Sequence, residues 1–92
     1  MEITLTPAAR QAAERDLTQE EHLRIAFAGG CGAFGFRLAA SRRTSEGDLR
    51  LDLDGVPVLL DRQAVRELEG AVLDYDPDEG FVLEHPSWGR SC

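Results

Sequence analysis

The chain has 92 residues, enough for one domain with a modest core and too few for two. Its hydrophobic share of 42% and charged share of 29% are those of an ordinary folded domain, and no apolar run nears the roughly 20 residues of a membrane span. A net charge of −7 disfavours nucleic acid as a partner, because binding to phosphate is driven by clustered basic residues. All ten basic residues are arginine. A domain this small commonly gains stability by oligomerising, and its opening residues lack the basic and apolar regions of an export signal, so a cytoplasmic location is expected.

Glu2 to Leu5 alternates as a short strand does, and Thr6-Pro7 predicts an N-cap with proline at the first helical position. The helix should run from Ala8 to about Asp16, with alanines 8, 9, 12 and 13 and then Leu17 forming a small-residue stripe that packs closely on a sheet. Residues 18–22 read as a polar connection with His22 solvated. Leu23, Ile25 and Phe27 alternate into a glycine-rich loop, where Gly29, Gly30, Gly32 and Gly35 surround Cys31. Phe36, Leu38 and Ala40 alternate after it, so the loop joins two strands.

Glycine permits positive φ and close backbone approach, so this loop displays a thiol among N–H groups. Such dipoles favour thiolate, which makes Cys31 a candidate soft-metal ligand or nucleophile. Residues 30–35 match G-x-G-x-x-G in letter, but a dinucleotide site needs a helix to open there, and a strand follows instead. Cys31 and Cys92 are read as thiols rather than as a structural disulfide.

Leu49, Leu51 and Leu53 alternate, and Asp54-Gly55 predicts a type I′ hairpin into Val56–Leu60. Pro57 in that run suggests an edge strand or the start of one. Asp61 should cap a short helix through Glu69, with Val65 and Leu68 inward and Gly70 ending it. Residues 71–75 and 81–84 read as strands about the turn 76–80, followed by a polar tail from His85 to Cys92. Asp74, Asp76 and Asp78 carry the opening spacing of a calcium loop, but Pro77 interrupts it and His85 stands where the closing glutamate belongs. The turn is therefore read as solvated.

These pieces, in this order, resemble the HesB/IscA family, the A-type iron–sulfur cluster carriers. The resemblance rests on Ile3 to Ala9, Leu23 to Leu38 with its glycine-cysteine loop, Asp54-Gly55-Val56, Leu60-Asp61, Leu68 to Tyr75 and Gly80 to Pro86. It implies a mostly β (α+β) fold, a compact two-sheet domain with two short helices, spanning residues 1–84 and followed by a cysteine-bearing tail, 85–92. It also implies a non-enzymatic carrier or scaffold that binds iron or a [2Fe–2S] cluster and passes it to apo iron–sulfur proteins, in company with the assembly machinery.

The family uses one cysteine in the glycine loop and two in a C-terminal Cys-x-Cys. Cys31 falls on the first position and Cys92 on the second, with no residue at the third, so a degenerate member is expected. Clusters are usually held by four thiolates, which Cys31 and Cys92 from each chain of a two-fold homodimer would supply. His85 stands where the family commonly has asparagine, and imidazole is a possible further ligand. The alternative function is a HesB-like protein-interaction module that no longer binds metal, and a weaker one is thiol chemistry by Cys31.

Overall fold

The computed structural model describes residues 2–30, 35–86 and 88. Along the chain it forms β1 (Thr4–Leu5), α1 (Pro7–Asp16), β2 (His22–Phe27), β3 (Phe36–Ser41), β4 (Leu49–Leu53), β5 (Val56–Leu60), α2 (Arg62–Glu67), β6 (Val72–Asp76) and β7 (Gly80–Glu84). The strands make a three-stranded sheet ordered β1-β6-β7 and a four-stranded sheet ordered β3-β2-β5-β4. This is the mostly β, two-sheet fold with two short helices that the sequence predicts. In each sheet one parallel pairing, β1 with β6 and β2 with β5, joins strands distant in sequence, whereas the antiparallel pairings join neighbours.

Thr6 starts α1 by accepting the Ala9 N–H on its hydroxyl at 3.2 Å, and the same hydroxyl donates to Asp74 Oδ1 on β6 at 2.7 Å. One side chain therefore caps the helix and docks it. Ala9, Ala12 and Ala13 are buried while Ala8 is exposed, so the stripe is one residue narrower than expected. Only small side chains allow a helix backbone this near the strands. The core lies between Leu23, Ile25, Val58 and Leu60 of one sheet, Leu73 and Leu83 of the other, and Ala64 and Leu68 at α2. Burying a leucine of this kind stabilises by about 2 kcal/mol.

Asp54 and Gly55 have φ of 51° and 87°, the two positive values a type I′ turn requires, and Asp52 accepts the Gly55 N–H at 2.8 Å. The strand after it is not an edge. β5 pairs with both β4 and β2, and Pro57 is tolerated because pairing with β2 begins only at Val58. On the other side Pro57 faces Asp52, one step beyond the Leu53–Val56 pair that closes the turn. That step is a non-hydrogen-bonded position, so the missing N–H deprives β4 of nothing.

His22 is not a solvated loop residue. It opens β2 at 5% exposure, and its Nε2–H donates to the Arg43 carbonyl at 2.8 Å. Alternation places His22 and Arg24 on the outer face of the sheet, opposite Leu23 and Ile25. Asp48, its side chain only 5% exposed, accepts from Arg24 at 3.4 Å and from the Ser45 N–H at 2.9 Å. Residues 42–48 thus cross this outer face as a strap, fixed at one end by His22 and at the other by Arg24. Leu59, in register with Arg24 on the outer face, is 3% exposed.

Candidate functional site

Cys31 and Cys92 both lie outside the described residues, as do Gly32, Ala33 and Phe34; the strands that flank the Cys31 loop are described. β2 and β3 run antiparallel up to the pair Phe27–Phe36, and the Ala28 N–H donates to the Gly35 carbonyl at 2.7 Å. This bond closes the neck of the cysteine loop. A side chain at Gly35 would place its Cβ 3.2 Å from the Gly30 carbonyl oxygen and 3.3 Å from the Phe27 ring. Glycine lets the two arms of the loop approach here, and Gly29 and Gly30 turn the first arm with φ of 92° and 109°.

Asp61 anchors the base of the loop. Its Oδ1 accepts the Ala64 N–H at 2.8 Å and caps α2, while Oδ2 accepts the Phe27 N–H at 2.8 Å. The Asp61 N–H in turn donates to the Ile25 carbonyl at 3.2 Å. The sequence marks Asp61 as a helix cap only. Its second bond joins residues far apart in the chain, and no local pattern signals it.

Three aromatic rings adjoin the neck. Phe27 and Phe36 meet edge to face at 5.5 Å between centroids, and Trp88 stacks on Phe36 at 6.2 Å. Trp88 is half-buried against the core, so the segment expected to be a polar tail begins with an apolar anchor. Its signal in the sequence is that the chain's single tryptophan stands within that segment. His85 supports it from the other side, with its ring 5.7 Å from the Trp88 ring and its Nε2–H donating to the Glu69 carbonyl at 2.6 Å. The imidazole nitrogen Nε2 is thereby used in binding the backbone beside Gly70.

Asp74, Asp76 and Asp78 serve local structure. Asp74 Oδ1 accepts from the Thr6 hydroxyl and from the Tyr75 N–H, which together hold its carboxyl below the usual range, and Asp76 Oδ1 accepts the Asp78 N–H at 2.8 Å. Among the described residues no three His, Cys, Asp or Glu side chains converge to hold a metal ion. No helix there is long and apolar enough to cross a membrane.

Residues 1–87 match the family described as iron-sulphur cluster biosynthesis. The protein Rv2204c of Mycobacterium tuberculosis is 34% identical over 98 aligned residues, which cover 98% of this chain and 83% of that protein. The iron-sulfur cluster insertion protein ErpA of Actinobacillus succinogenes is 31% identical, with 98% of this chain and 87% of the relative covered. Among solved structures, IscA with the [2Fe-2S] cluster superposes with a TM-score of 0.67 at 25% identity, covering 99% of this chain and 91% of the other. Escherichia coli SufA shares the fold, with a TM-score of 0.62 at 22% identity over 91% of this chain and 85% of that one. The chain therefore belongs to the iron–sulphur cluster biosynthesis family, the HesB/IscA group, and its role is in iron–sulfur cluster assembly rather than in enzymatic turnover.

Proposed function

We propose that this protein is a cytoplasmic carrier that takes iron or a [2Fe–2S] cluster as cargo on Cys31 and Cys92, in a homodimer, and delivers it to apo iron–sulfur proteins. Residues 1–84 are the domain in this reading, and residues 85–92 the tail that brings the second thiol. The observation that carries it is the stacking of Trp88 on Phe36. Phe36 opens β3 directly after the glycine loop, so the tail starts beside the segment holding Cys31. Cys92 is the fourth residue after Trp88, a chain reach of at most about 14 Å, which supports a meeting of the second thiol with the loop.

Two thiols per chain become four about a two-fold axis, the usual complement for a cluster. Delivery then needs only exchange of these thiolates for those of the recipient. N–H groups of the loop directed at sulfur would stabilise thiolate and tune the bound cargo.

The test is anaerobic reconstitution with ferrous iron and sulfide, read by visible absorption and iron counting. Wild type should show cluster absorption that Cys31→Ser and Cys92→Ser each abolish. A colourless wild type, or colour that survives both substitutions, would overturn the assignment and favour a metal-free interaction module.

A further inference from the structure

We propose that the cleft between β3 and β7 receives an extended segment of a recipient protein in which apolar and basic residues alternate; this rests on the delivery reading above. Among the described residues β3 ends one sheet and β7 ends the other, so each presents main-chain groups with no strand beyond them. The two edges bound a cleft of about 660 Å³. Phe36, Leu38, Phe81 and Leu83 form its apolar floor, and Asp76, Glu79 and Glu84 stand along it. No basic side chain lines it among the described residues, and none of their ion pairs engages Glu79 or Glu84.

The occupant follows from strand geometry and charge. Side chains of an extended segment alternate at each residue, so a strand lying along β7 sends one set into the floor and the other toward the carboxylates. Apolar residues suit the first set and lysine or arginine the second. A second copy pairing through the same edge is disfavoured, because it would set the carboxylates of Asp76, Glu79 and Glu84 against their own like charges. Phe36 lines both the cleft and the neck of the cysteine loop, so a segment held there lies beside the loop from which cargo would leave.

The probe is the peptide acetyl-Val-Lys-Val-Arg-Val-Lys-amide, titrated into the isotope-labelled, iron-free chain and followed by amide chemical shifts. The same peptide with glutamate at every basic position is the control. Shifts should concentrate in residues 36–41 and 80–84, and the control should produce none. The double variant Glu79→Arg/Glu84→Arg should weaken binding roughly fivefold or more, as two lost rim charge pairs imply. Shifts elsewhere, an equal response to the control, or shifts at the same amides on concentrating the protein alone would overturn the proposal, the last by showing a second copy as occupant.

Because the titration needs no iron, the two readings fail separately. Peptide binding at these amides with no cluster on reconstitution upholds the cleft and overturns delivery. Reconstituted double variant that supplies an apo-ferredoxin at the wild-type rate overturns the cleft and leaves the cysteine site standing.

Discussion

At Asp61 the two oxygens of one carboxylate hold two elements, the first turn of α2 and the last residue of β2. Asp61→Ala removes an N-cap worth about 1 kcal/mol and leaves the Phe27 N–H without its acceptor, a loss of similar size. The variant should melt on the order of 10 °C lower, measurable by circular dichroism. Asp74 predicts a pH effect instead. Thr6 and Tyr75 lower its native pKa below the ordinary 3.8, so its contribution is present above that value and lost as pH falls through the lowered one. Asp74→Asn should therefore melt below wild type at neutral pH, with the difference closing as the pH drops below 3.8. Trp88 is tested through the tail: Trp88→Ala should weaken iron retention by roughly five- to tenfold and lower the melting temperature by several degrees through the packing lost on Phe36, and Trp88→Phe should restore most of both.

The strap of residues 42–48 is held at its far end through one carboxylate, that of Asp48. Asp48 links it to Arg24 and also closes its own turn at Ser45. Asp48→Ala should release this end and admit trypsin at Arg42 and Arg43, giving cleavage at least several times faster than in wild type by gel. Equal rates would show that the His22 contact with Arg43 is sufficient alone. The β4–β5 hairpin and α1 are more local devices. Each is started by residues adjacent to it, Asp54-Gly55 and Thr6-Pro7, which is why both are legible in the sequence.

For the whole molecule, the proposed site of four thiolates from two chains would tie cargo to oligomerisation. Loaded protein should sediment as a dimer with one cluster per two chains, and Cys92→Ser should lose cluster and this linkage together; a loaded monomer would contradict the shared site. The parallel pairings of β1 with β6 and β2 with β5 hold the molecule together across long stretches of chain. They also carry the frame of the cysteine loop, since β2 leads into it and α2, following β5, supplies its anchor through Asp61.

The sequence by itself determined the element order, the I′ turn, the helix caps and the family, because each depends on residue types at short, fixed spacings. Only tertiary structure decided the setting of His22, Pro57, Asp61 and Trp88. His22 is buried by a strap that arrives about twenty residues later. Pro57 sits within an inner strand because its neighbour β2 pairs from the next residue onward. Asp61 and Trp88 gain their second roles from contacts across the fold, with Phe27 and Phe36. Local pattern encodes what a segment is, whereas the meeting of distant segments depends on which faces are left to bury once the sheets have formed.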